Sequence, residues 1–151
     1  MDNRNKQILE NCLFFSHVTS EQLEVVMEKM EQVQLAHENT LFREGNAGDY
    51  VCFILDGALE VIKSSKGGAG NVIATLVAGS SIGEMALIDG QPRSASVRSL
   101  GSSQLAVLTK STFDQLVEEE PLISVNILKG LAAVLSDNLR ETSQLLNSEM
   151  R

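Results

Sequence analysis

"VCFILDGALEVIK", residues 51–63, contains two short aliphatic, β-branched and aromatic runs joined at Asp56-Gly57. Runs of this length, broken by a pair that tolerates positive φ, have the pattern of strands, and Asp-Gly predicts a two-residue β-hairpin turn. Outward from this pair, "EGNAGD" (44–49) and "SSKGGAGN" (64–71) read as further turns, the second long enough to vary freely. Turn signals recur roughly every ten residues from 31 to 110, a spacing that favours an all-β sandwich or barrel.

Helical patterning flanks this region on both sides. The first thirty residues place Ile8, Leu9, Leu13 and Phe14 on one face, and Thr19 with Gln22 has the spacing of a capping box that starts a second helix. Beyond residue 110, Ser111 with Asp114 resembles another cap, and Pro121 separates a short acidic helix from a longer one. Along that last helix Leu128, Ala132, Leu135, Leu139, Thr142 and Leu146 recur at alternating spacings of four and three. Such a stripe suits a seam between two copies of the chain, with a helix packed on its own barrel as the alternative. The expected organisation is one domain over 1–151, with N-terminal helices (1–30), an all-β sandwich or barrel (31–110) and C-terminal helices (111–148).

The 151 residues, 43% of them hydrophobic, suffice for one stable core. Twenty acidic against twelve basic residues give a net charge of −8, the wrong sign for holding nucleic acid by its phosphates. Cys12 and Cys52 occur without a signal peptide, which predicts free core thiols in a reducing compartment. Contiguous apolar runs fall short of the ~20 residues that span a bilayer, so a soluble, cytoplasmic protein without membrane contact is expected.

The stretch "GEMALIDGQPRSAS" (83–96) fits neither an amphipathic helix nor an alternating strand. Gly83 permits backbone geometry that other residues resist, and "EMALI" has room for one or two helical turns before Asp89-Gly90. The first amides of such a turn lack internal partners and attract an anion, which Arg93 can meet with its planar fork of donors. Glu84 has no favourable contact with a phosphate, but a carboxylate accepts well from a sugar hydroxyl. One acid for a hydroxyl and one arginine for a phosphate describe a nucleotide. No G-x-x-x-x-G-K-[ST] loop for a triphosphate occurs, and one arginine with a few amides matches a single negative charge.

The stretch 83–96 resembles the phosphate-binding cassette of the cyclic nucleotide-binding domain, shared by catabolite activator proteins, regulatory subunits of cyclic AMP-dependent kinase and cyclic nucleotide-gated channels. "LFREGNAGDYVCFILDGALEV" (41–61) is similar to that family's early barrel, and the likeness extends over roughly residues 9–146. It implies a mainly β fold, a double-stranded β-helix (jelly-roll-like β-roll) with helices at both ends and a cassette helix inserted. The implied ligand-binding residues are Gly83, Glu84, Met85, Ala86, Arg93 and Ser94. Glu84 would accept the ribose 2′-hydroxyl, Arg93 would pair with the exocyclic phosphate oxygens, and the Ala86 and Ser94 amides would complete the cradle. Gly83 would let the ribose approach, and the Ser94 hydroxyl would touch phosphate or a syn guanine. Ile82 and Cys52 stand where the family often has phenylalanine and tyrosine, as core substitutions.

"LAAVLSDNLRETSQLL" resembles the dimer helix of catabolite activators, where a Thr-Ser pair reaches adenine, one residue coming from the partner subunit; here that pair is Thr142-Ser143. The expected function is non-catalytic sensing of cyclic AMP ahead of cyclic GMP, through a homodimer and with no other cofactor. Two alternatives belong to the same family. One is the ligand-binding portion of a transcription regulator, to which the end at Arg151, without room for a helix-turn-helix, is an objection unless the sequence is truncated; the other is a degenerate domain that keeps the fold and no longer binds nucleotide. A metal-dependent barrel enzyme would need clustered ligands, whereas His17 and His37 stand isolated, and no G-x-S-x-G nucleophile motif occurs. Glu118, Glu119 and Glu120 read as a solvated helix face, and the Ser and Thr residues of 94–103 as exposed strand positions.

Overall fold

A computed structural model of the chain describes residues 1–68 and 70–149. Their strands are β1 (Glu31–Leu35), β2 (Thr40–Phe42), β3 (Tyr50–Asp56), β4 (Ala58–Ser64), β5 (Gly70–Val77), β6 (Ser81–Ile82), β7 (Ser96–Ser99) and β8 (Ser103–Thr109). They form two antiparallel sheets in the orders β1-β8-β3-β6 and β2-β7-β4-β5. Apart from the β4–β5 pair, consecutive strands alternate between the sheets, as a rolled double-stranded β-helix requires. Helices α1 (Asn3–Glu10), α2 (Ser20–Lys29), α3 (Lys110–Glu119) and α4 (Pro121–Glu149) flank the roll.

The Asp56-Gly57 hairpin expected from sequence does not form. β3 pairs with β8 and β6, whereas β4 pairs with β5 and β7, so Gly57 is a corner between the two sheets. Glycine is needed there because φ is +94° and a Cβ would overlap Ser103 Oγ. Burial on both faces of β3 explains the topology. Val51, Phe53 and Leu55 point to the helices, while Cys52 and Ile54 point between the sheets. A hairpin partner in the same sheet is therefore unnecessary; the apolar run is continuous because neither face meets water. The real hairpin is β4–β5, closed by the turn around 64–70.

The inner core between the sheets contains Leu35, Ile54, Leu59, Val97 and Leu105, and the outer one joins β3 and β8 to the helices. In the outer core the rings of Phe14, Phe15 and Phe53 pack with centroids 4.8–5.0 Å apart. Ser99 and Ser103, expected at exposed strand positions, are buried; their hydroxyls lie 2.8 Å apart, and Ser103 also donates to the Ala58 carbonyl at 3.3 Å. Both expected thiols are free and buried, and desolvation pushes Cys12 up to about 11 and Cys52 to about 12.

Thr19 caps α2 in a full capping box with Gln22. The N-terminal helical pattern is interrupted, however. α1 ends at Glu10, Cys12 is extended, and a single 3-10 turn at Leu13–Phe15 leaves Leu13 exposed while Phe14 is buried. The cap of α3 is Thr109, whose Oγ1 accepts from the Thr112 amide at 3.1 Å, and not Ser111; Asp114 pairs instead with Lys110 at 3.0 Å. Thr109 ends β8 with extended torsions, so the helix begins two residues earlier than the Ser111–Asp114 spacing suggests. Pro121 opens α4, a position where its missing amide costs nothing.

α4 is by length and composition apolar enough to cross a membrane, with a mean hydropathy of 1.3 over 18 residues, although no single apolar run is long. The apolar residues form two stripes separated by polar ones. Ile123, Ile127, Leu131 and Val134 pack into the outer core, and Gly130 rests against the Phe14 carbonyl, which a Cβ would overlap. The stripe with period 3.5 is split between the two: Leu135 packs against the outer core, whereas Leu128, Leu139 and Leu146 are exposed.

Candidate functional site

β6 delivers the chain to Gly83, which takes φ +80° and starts a single 3-10 turn, Glu84–Leu87. Ala86 and Leu87 are buried, and this anchors the turn against the sheet while Met85 and Ile88 remain exposed. The return segment then carries Arg93 inward. Its amide donates to the Asn46 carbonyl at 2.7 Å, and its carbonyl accepts from the Gly45 amide at 2.8 Å.

Arg93 is only 7% exposed. Nη2 donates to the Tyr50 carbonyl at 2.7 Å, and the guanidinium carbon lies 4.1 Å and 4.6 Å from the ring centroids of Phe42 and Tyr50. Two aromatic faces stabilise the cation and hold its plane. A Cβ on Gly83 would overlap Nη1, so glycine is required at this contact as well as for its torsion. Nε is buried without a hydrogen-bond partner, and Arg93 forms no salt bridge among the described residues. Burial lowers its pKa from the ordinary value, opposed by Tyr50, Asp49, Cys52 and Glu84. A guanidinium keeps its proton even so. The result is a desolvated, charged fork without a carboxylate partner.

Arg93 lines a cavity of about 400 Å³ together with Gly83, Glu84, Met85, Ala86 and Ser94, so the structure brings all six predicted cassette residues to one space. Phe42, Val61, Ile82, Ala95 and Val97 provide an apolar wall. Glu84 faces this cavity, and Ser81 Oγ donates to its Oε1 at 2.7 Å, which orients the carboxylate. The Ala86 amide closes the 3-10 turn on the Gly83 carbonyl at 3.1 Å, whereas the amides of the first helical positions have no partner within the turn. Ser94 is exposed at the rim.

Thr142 and Ser143 are not brought to this cavity. Both lie on the exposed end of α4, where Thr142 Oγ1 donates to the Asn138 carbonyl at 3.0 Å. Instead α4 contributes Val134, Asp137 and Asn138 to an adjoining cavity of about 380 Å³ that shares Ile82 and Glu84 with the first. The sequence reading missed these residues and the Phe42–Tyr50 bracket. Tyr50 ends the glycine-rich 41–50 segment, but only long-range packing shows that its ring covers an arginine forty-three positions away.

His17 and His37 are exposed, and no group of three metal-ligating side chains occurs among the described residues. The Glu118–Glu120 run is exposed, as expected of a solvated helix face.

The family model for the cyclic nucleotide-binding domain matches residues 32–120. The cAMP-dependent protein kinase regulatory subunit of Dictyostelium discoideum is 29% identical over 119 residues, which is 79% of this chain and 36% of that protein. The chain spans 8% to 36% of the length of these curated relatives. The crystal structure of a cyclic nucleotide-binding domain from Methylobacillus flagellatus KT superposes with a TM-score of 0.83 at 28% identity, covering 95% of this chain and 85% of that one. The catabolite activator protein of Thermus thermophilus gives a TM-score of 0.79 at 25% identity, covering 91% and 63%. With the roll, the cassette and a family match over more than half its length, this chain belongs to the cyclic nucleotide-binding domain family.

Proposed function

We propose that this chain is a non-catalytic sensor that binds a cyclic nucleotide reversibly at Arg93 and Glu84, prefers cyclic AMP to cyclic GMP, and relays occupancy through its C-terminal helices. The observation that carries this reading is the buried Arg93 fork, with no carboxylate partner among the described residues, beside an oriented carboxylate in a cavity with an apolar wall. A cyclic phosphodiester supplies one negative charge for the fork and one 2′-hydroxyl for Glu84. Preference for cyclic AMP is supported by the likeness to a cAMP-dependent protein kinase regulatory subunit. The reading needs no cofactor, and the net charge of −8 is the wrong sign for holding nucleic acid by its phosphates.

Titration with cyclic AMP and cyclic GMP, followed by heat and by melting temperature, tests the ligand directly; no response to either rejects the reading. Glu84→Gln keeps an acceptor oxygen but loses the charge, so binding should weaken by about fivefold, equivalent to ~1 kcal/mol. A 2′-deoxy ligand should lose as much on the natural chain and little more on the variant. Equal affinity of the natural chain for ligand and 2′-deoxy analogue would remove Glu84 from the ribose.

Ligand shifts the C-terminal helices only as far as it binds one arrangement better than another. This relay is supported by Val134, Asp137 and Asn138 of α4, which line the adjoining cavity that shares Glu84 with the ligand cavity. Its exposed stripe, with Leu139 68% and Leu146 54% exposed, supports a homodimer seam, across which Thr142-Ser143 of a second copy would reach the base. Sedimentation equilibrium at high micromolar concentration should give a dimer that Leu139→Asp converts to a monomer. A monomeric natural chain under those conditions would sink the seam.

A further inference from the structure

The segment that carries Arg93 is braced on its outer side by a charge pair. Lys63, near the end of β4, directs Nζ to the Ser94 carbonyl at 2.5 Å. Lys63 also lies 3.4 Å from Glu44 Oε1, an ion-pair distance without hydrogen-bond alignment, for that oxygen is buried and makes no aligned bond. Ser64 Oγ donates to the other carboxylate oxygen, and the Glu44 amide donates to Ser96 Oγ at 2.8 Å. Loop 43–46, the end of β4 and segment 93–96 therefore meet at one ion pair.

Each part has a physical role. A carboxylate oxygen shut away from water is costly without a cation beside it, so Glu44 restricts where the flexible lysine points. An ammonium–carbonyl bond is stronger than a neutral one and here fixes the peptide following Ser94. The Ser64 hydroxyl, with Lys63 beside it, holds the Glu44 carboxyl below the usual range. Neither Glu44 nor Lys63 lines the ligand cavity.

We infer that Lys63, held by Glu44, is a positioning residue for the ligand site: it fixes the backbone from Arg93 to Ser96, which carries the guanidinium into the cavity and Ser94 at its rim. The inference rests on the reading of that cavity as a nucleotide site. A purely electrostatic role for the pair makes the opposite forecast for one variant. Removing the Glu44 charge would then raise the local potential and tighten the binding of an anion, whereas loss of positioning weakens it.

Calorimetry with cyclic AMP and site-resolved amide hydrogen exchange on the ligand-free full chain test this together. Glu44→Gln and Lys63→Met should each weaken binding by about 3- to 10-fold, the loss of one hydrogen bond. Lys63→Arg should restore it, and the Arg93 and Gly45 amides should exchange faster in the two weakened variants while the α2 amides do not change. Tighter or equal binding by Glu44→Gln, or unchanged exchange at Arg93 and Gly45, overturns the inference. Exchange needs no ligand: faster exchange at those amides in a chain that binds no cyclic nucleotide would uphold the brace and reject the nucleotide reading alone.

Discussion

Arg93→Ala should raise the dissociation constant for cyclic AMP by about 10- to 150-fold, the equivalent of losing a charge-assisted contact of ~1.5–3 kcal/mol. The loss falls on the bound state because the free protein already holds the guanidinium in a fixed place between Phe42 and Tyr50. The free protein changes too. The Tyr50 carbonyl loses its donor, so the melting temperature should also fall by a few degrees. Arg93→Lys separates charge from shape: a lysine keeps one positive charge but not the planar fork stacked between two rings, and it should recover only part of the affinity. Calorimetry on folded variants is the measurement. Unchanged affinity in a folded Arg93→Ala protein would show that the anion lies elsewhere.

The largest effect on stability should come from Gly130→Ala. The helix backbone at Gly130 touches the Phe14 carbonyl, and the added methyl has no room there because its neighbour is backbone and cannot rotate away. Either α4 shifts outward or the Leu13–Phe15 turn is displaced from Phe53. Overpacking of this kind costs about 2–4 kcal/mol, which for a chain of this size lowers the melting temperature by roughly 5–15 °C. Scanning calorimetry decides the matter: an unchanged melting temperature would mean that α4 is not docked on Phe14. Cyclic nucleotide affinity gives a second readout, since outward movement of α4 draws Asp137 and Asn138 away from the cavity they share with Glu84.

Two residue pairs show why parts of the site were legible beforehand and others were not. Glu84 and Arg93 lie in one short stretch of unusual composition, and their chemistry follows from residue type alone. Glu44 and Lys63 carry no such mark; an acid in a turn and a lysine at a strand end are ordinary surface residues until folding places Ser64, Ser94 and Ser96 around them. Thr142 and Ser143 illustrate the reverse. The likeness of one helix to another supplied them without a spatial anchor, whereas in this chain the face of α4 beside the cavity is Val134, Asp137 and Asn138.

By itself the amino-acid order determined the helix start at Thr19, the opening of α4 at Pro121 and the glycine-bearing turn at 44–49, because capping, proline and positive-φ preferences act over three or four positions; the full cassette was legible through its resemblance to a family. Only the tertiary structure decided that Asp56-Gly57 turns a corner between sheets, that Ser99 and Ser103 are buried, and that Phe42 and Tyr50 bracket Arg93. A strand's partner depends on which of its faces become buried, and for β3 both do. That outcome is set by residues far away in the chain, such as Phe14 on one face and Leu105 on the other.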